Sequence, residues 1–229
     1  MPSELREGFH RELDRQEIAI GALLDVVPEA IRRATAALLS GDRTVVDDLA
    51  RWRALVSDLN AGVERGAETV IALQSPVAGD LRLLLAATRL VPLLADTMDL
   101  IADIASPALA EIGPSLPGRI KDITAELGDS CADTWTSVEE LWRERDRVHA
   151  QAVRDRDDVL TDVRSTLTAE LASGAVDLQV AMQMAMAGRS FERLGRHAAA
   201  AGRLFEPLRP TGRVSNAEET PDPQPAPDS

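Results

Sequence analysis

Apolar residues recur at intervals of three and four along most of this chain, the spacing of one helical face. Leu13, Ile20, Leu23, Leu24, Val27, Ile31, Ala34 and Leu38 form a first stripe, which stops at Ser40-Gly41-Asp42 and carries Pro28 as a point of bending. Val46, Leu49, Trp52, Leu55, Val56, Leu59, Val63, Val70 and Leu73 form a second. Ser75-Pro76 then restarts the chain with a capping hydroxyl followed by proline in the first turn, and a third helix is predicted to about Ala105. It is apolar nearly all round from Leu83 to Leu94, which predicts a central position. Pro107, Pro114 and Pro117 mark a break. Beyond it, Ile120, Ile123, Leu127, Cys131, Trp135, Val138 and Leu141 define a fourth helix. A fifth is predicted from about Glu144 to Leu171, and Ala172-Ser173-Gly174 turns into a sixth that ends near Phe205.

From Gly118 to Glu206 there is no proline, whereas six of the 13 prolines fall in the last 23 residues, where there is almost nothing to bury. Residues 207–229 therefore read as a disordered, Pro-rich acidic tail. A shift of 97 residues lays Asp80-Leu81 on Asp177-Leu178 and the third helix on the sixth. The pattern predicts an all-α fold: a six-helix domain over residues 1–206, made of two similar three-helix units, 8–105 and 114–206.

Composition sharpens this. Hydrophobic residues make up 45% of the chain but aromatics only 3%, so the core must be built from Leu, Ile, Val, Ala and Met, which suit helices better than strands. The formal charge of -13, with Lys121 the single lysine, argues against nucleic-acid binding by a basic surface. One cysteine, Cys131, excludes an intramolecular disulfide framework and any Cys-rich metal site, and fits a reducing compartment. The charged start MPSELREGFHRELDRQ lacks the apolar segment of a signal peptide, and no run reaches the roughly 18 apolar residues of a membrane span. A soluble cytoplasmic protein is expected.

Two segments carry a resemblance. ALQSPVAGDLR stands at residues 72–82 and GRSFERLGRHAA at 188–199. In this order and at this distance, with the FHRELD start and the Gly41-Asp42 turn, they resemble the PhoU family over about residues 8–206. The motif positions are Gln74, Pro76, Asp80, Leu81, Arg82, Glu192 and Arg193. The resemblance implies a cytoplasmic, non-enzymatic all-α regulator, often a homodimer. Such a protein restrains phosphate uptake and phosphate-starvation signalling by contact with the phosphate ABC transporter ATPase and a membrane sensor kinase.

The family also places a Glu-x-x-x-Asp pair in each half. Two carboxylates one turn apart share a helix face, and an Asp-x-x-x-Asp pair on the adjacent helix completes an oxygen-rich cage for a hard cation. Carried onto this chain, the first-half Glu falls on Ala95 and the Asp on Asp99, with Asp103 one turn further; the adjacent helix presents Arg53 and Ser57. In the second half Glu192 matches, Arg196 replaces the Asp, and Ala200 and Arg203 replace further polar positions. The fifth helix offers Asp158 and Asp162, or Asp157 and Thr161 if the register slips by one, which Leu160, Leu167 and Leu171 favour. No metal or other cofactor is expected from so depleted a set. One reading is that internal arginines replace the metal's charge, Arg53 approaching Asp99 and Arg196 pairing with Glu192 at i and i+4. The other is that both face solvent as ordinary surface pairs. A metal-binding sensor bundle on the residual carboxylates, and a structural scaffold without phosphate partners, stay open beside the regulatory role.

Other candidates carry less. Of the three histidines, His10, His149 and His197, the last two stand with Glu144 and Glu192 at i, i+5, which does not match the Glu-x-x-His of di-iron bundles. His197 is expected to serve helix packing. Met182, Met184 and Met186 are expected in the core, Cys131 buried and inert, and Trp52 and Trp135 buried. Trp142 is the tryptophan left as a partner anchor if exposed. The acidic stretches Asp42 to Asp48 and Asp155 to Asp158 read as solvated faces. No Gly-rich phosphate loop or nucleophile elbow appears, so an enzyme is not expected.

Overall fold

Six long helices and a short connecting segment account for the computed structural model, which describes residues 2–72, 78–205 and 208. The first three are α1 (Pro2–Ser40), α2 (Val45–Ala72) and α3 (Ala78–Ala105). A 3-10 turn (Ser106–Ala110) and the single turn α4 (Ile112–Ser115) occupy the proline-marked break. The second set is α5 (Gly118–Glu144), α6 (Arg147–Ala172) and α7 (Leu178–Phe205). There is no strand among the described residues. The residues Gln74 and Pro76 and the tail from 209 onward lie outside the described residues, as does the Ser75-Pro76 cap.

The boundaries have local causes. After α1, Gly41 takes a φ of 78° and its N–H bonds the carbonyl of Ala37 at 2.8 Å, the left-handed stop that glycine adopts without strain. Asp42 then accepts from the backbone N–H of Thr44 at 2.9 Å, and this bond holds its carboxyl below the usual carboxylate range. Asp177 accepts from Val180 N–H at 3.0 Å and starts α7. The turn between α5 and α6 has neither glycine nor proline. Arg145 takes a φ of 51° there, supported by its ion pair to Glu17 and its position over the Trp142 ring. Asp146 caps α6 through the N–H of His149 at 3.0 Å, which starts that helix later than the periodicity predicts. Pro28 and Pro92 are accommodated inside α1 and α3.

Helix packing follows the repeat. α1 lies on α5 and α3 on α7, so like pairs with like across the two units, while α2 flanks α1 and α3, and α6 flanks α5 and α7. Buried Ile20, Leu24, Ile31, Leu90, Leu94 and Met98 meet Trp135, Phe191 and Leu194 in one core. The connection between the units is held against the end of α1: a Cβ on Gly113 would fall 1.8 Å from the carbonyl oxygen of Leu38. Cys131 is buried in this core, and burial pushes its thiol pKa up, which leaves it unreactive.

Four expectations need correction. Of the three methionines of α7, only Met184 is in the core; Met182 and Met186 are 59% and 69% exposed because they lie on the outward stripe of α7. α2 and α3 are not enclosed along their whole apolar stripes, since Leu55 and Leu85 face outward, and Leu73 lies outside the described residues. Asp48 is buried rather than solvated, clamped by Arg33 and Arg51. Trp142 is buried against Phe205 with ring centroids 5.0 Å apart, whereas Trp52 is only half-buried under the guanidinium of Arg33.

Candidate functional site

Antiparallel packing of α2 and α3 brings Arg53, Ser57, Ala95 and Asp99 to the lining of one recess of about 420 Å³. The recess opens where Pro92 and Ala95 leave α3 without bulk. Arg53 spans it: its guanidinium reaches the Asp99 carboxylate at 2.5 Å. Both ends of the pair are wet, with side chains 48% and 65% exposed. The expectation of an internal arginine is therefore corrected to a solvent-facing one, because α2 lies on the outside of the bundle. Such a pair contributes about 0–1 kcal/mol.

The second cluster lies between α6 and α7. Glu192 pairs with Arg196 on its own helix and with Arg164 of α6 at 3.1 Å, so two guanidinium groups share one carboxylate. Arg196 is more than half exposed, and here too the pair sits at the surface. Arg164 was not legible from the sequence; its signal is its place between Leu160 and Leu167, which turn inward. Thr161 and Asp162 are both exposed on α6, and the side chains of Asp157 and Asp158 lie outside the described residues.

The remaining positions are dispersed. Asp103 lines a different recess, of about 580 Å³, together with Arg189 and the motif residue Arg193. Leu81 and Arg82 are exposed near the start of α3; the side chain of Asp80 is outside the described residues. The donor set does not fit a hard cation: Asp99 and Glu192 are engaged by guanidinium groups, and among the described residues no three His, Cys, Asp or Glu side chains stand together to hold one.

His197 joins the two units. Its Nδ1 lies 3.1 Å from Thr97 Oγ1, whose single proton is donated to the carbonyl of Leu93 at 2.8 Å, so Nδ1–H is the donor to the hydroxyl oxygen. Burial first, then the charges of Arg193 and Arg196, lower its pKa from 6.5, against an opposing pull from Asp96. The folded chain thus binds this proton more weakly than the unfolded one. The penalty is absent well above pH 6.5 and grows as pH falls below it. An NMR titration is expected to place the His197 midpoint below 6.5, and His197→Gln to remove that part of the acid sensitivity; a midpoint at or above 6.5 contradicts the assignment.

Comparison with known proteins places these features in a family context. The chain is 27% identical over 198 residues to the phosphate-specific transport system accessory protein PhoU homolog 2 of Mycobacterium tuberculosis, covering 85% of this chain and 92% of the relative. It is 28% identical over 205 residues to PhoU homolog 1 of the same species, covering 87% and 91%. The crystal structure of PhoU from Pseudomonas aeruginosa superposes with a TM-score of 0.76 at 19% identity, over 88% of this chain and 97% of that one. The resemblance to the PhoU family thus extends over most of the chain, and the six-helix architecture is that of the solved PhoU structures. No protein-family model matches.

Proposed function

We propose that this chain is a non-enzymatic accessory regulator of phosphate transport, acting in the cytoplasm as a homodimer. Its role is to restrain phosphate uptake and starvation signalling by contact with the phosphate ABC transporter ATPase, the sensor kinase or both. The supporting observation is the likeness to accessory proteins of phosphate transport along 85–87% of the chain. Where the family's carboxylates would gather a cation, this chain has closed the positions with Arg53–Asp99 and Arg164–Glu192–Arg196. A protein so built acts through its helical surface and carries no metal in this reading. No helix among the described residues is long and apolar enough to cross a membrane, so contact with the transporter would be made from its soluble side.

A deletion strain grown in phosphate-rich medium tests the role. A starvation reporter is expected to be derepressed and to be silenced again by the restored gene. Full repression in the deletion strain, with normal phosphate uptake, overturns the proposal. Capture of neither the ATPase nor the kinase on the tagged chain favours the scaffold reading instead.

A further inference from the structure

The two ends of the α3–α7 face carry related recesses. At one end Ser106 and Pro107 meet Gln183 and Met186; at the other, Arg203 and Leu204 meet Ala86 and Arg89. A shift of 97 residues interconverts the two sets, so these are repeat-equivalent places made different by sequence. The second has become basic. Arg82 and Arg89 from the start of α3 and Arg203 from the last turn of α7 line a recess of about 190 Å³ with Leu85, Ala86 and Leu204. All three arginines are exposed, and none forms an ion pair with a described residue. Arg32, Arg33, Arg53, Arg143 and Arg196, by contrast, each hold a carboxylate.

Three guanidinium groups with no ion-pair partner among the described residues, at one point of a chain with a net charge of -13, are a local concentration of positive charge. Arginine's planar fork matches tetrahedral oxyanions, to which it donates two bonds at once. The recess is smaller than the roughly 300–1,000 Å³ of drug-sized ligand sites, which selects a small anion over a nucleotide. Arg203 also answers the carbonyl end of α7, so its part rests on its convergence with Arg82 and Arg89. Arg82 is the last residue of the ALQSPVAGDLR motif, whose charge the metal reading leaves unused.

We infer that Arg82, Arg89 and Arg203 form a binding site for an oxyanion of the phosphate class. The inference stands on these side chains and not on the regulatory role, since binding can be measured on the purified chain alone. Full-length protein titrated with inorganic phosphate at constant ionic strength is expected to show saturable single-site binding by calorimetry. Arg89→Gln/Arg203→Gln should weaken it at least roughly ten-fold while leaving the thermal melt in place, because both side chains are exposed. Arg82→Gln gives a second reading of the same site. Arg189→Gln/Arg193→Gln, an equal charge change at the other end of the face, should leave the affinity unchanged. Absence of saturation, binding that survives Arg89→Gln/Arg203→Gln, or equal loss in both double variants overturns the site. Glycerol phosphate in place of the free ion identifies the source: tighter binding of the ester marks a phosphate borne on another molecule, tighter binding of the free ion marks phosphate itself, and either supports the site.

Discussion

Trp135→Ala is expected to destabilise the chain by about 3–5 kcal/mol, the range for truncating a buried aromatic to alanine. Trp135 lies in α5 and is fully buried, and its indole N–H donates to the carbonyl of Leu194 in α7 at 3.1 Å. Alanine removes one of the two tryptophans of an aromatic-poor core and leaves a cavity that Leu, Val and Ala neighbours on rigid helices cannot fill. The lost hydrogen bond is the smaller part, because the Leu194 carbonyl also accepts the helical bond from position 198. Urea unfolding should show a lower midpoint with little change in slope, and the melting temperature should fall by about 6–20 °C. A loss below about 1 kcal/mol would mean that the helices collapse onto the gap, and that α5 and α7 are not held as described.

The core of this protein was legible because a 3.6-residue period and proline punctuation both survive in one sequence. Leu, Ile, Val and Ala stripes mark the buried faces, and Pro107, Pro114 and Pro117 mark the junction between units. Turns without such residues were not legible: at Arg145 the left-handed backbone is supported by tertiary contacts to Glu17 and Trp142, which no local pattern reveals. Asp48 illustrates the same limit, since its burial depends on Arg33 of another helix. Across the first site, the family's positions carried onto two adjacent helices were enough to bring Arg53 to Asp99. In the second site they were not, because one residue of slip turns a helix by about 100°, and that rotation decides whether Arg164 or a carboxylate faces Glu192. The Arg82, Arg89 and Arg203 recess depends on bringing the start of one repeat onto the end of the other, a relation that only the packing of α3 on α7 supplies.

That pairing of the units leads to a second large effect, at Gly128. This residue lies on α5 in close contact with α1: a Cβ there would stand 2.4 Å from Thr35 Oγ1, 2.5 Å from its Cγ2 and 2.9 Å from its Cβ. Two terms oppose each other in Gly128→Ala. Alanine is favoured over glycine in a helix interior by about 1 kcal/mol. Against it, Thr35 is buried, its hydroxyl is committed to the Ile31 carbonyl at 2.8 Å, and its own Cβ is too near for a change of rotamer to give relief. Relief must come from separating α1 and α5, which disturbs the contact between the two units. The clash should win, with a net loss of about 1–3 kcal/mol. Thr35→Ala removes the two nearest atoms and leaves only the 2.9 Å approach, so Gly128→Ala should be much better tolerated in that background. A double-mutant cycle by chemical denaturation is therefore expected to give a favourable coupling of about 1–3 kcal/mol between positions 35 and 128. Additive effects, within about 0.5 kcal/mol, would show that α1 and α5 do not meet at this point and would undo the pairing of the units from which the α3–α7 face also follows.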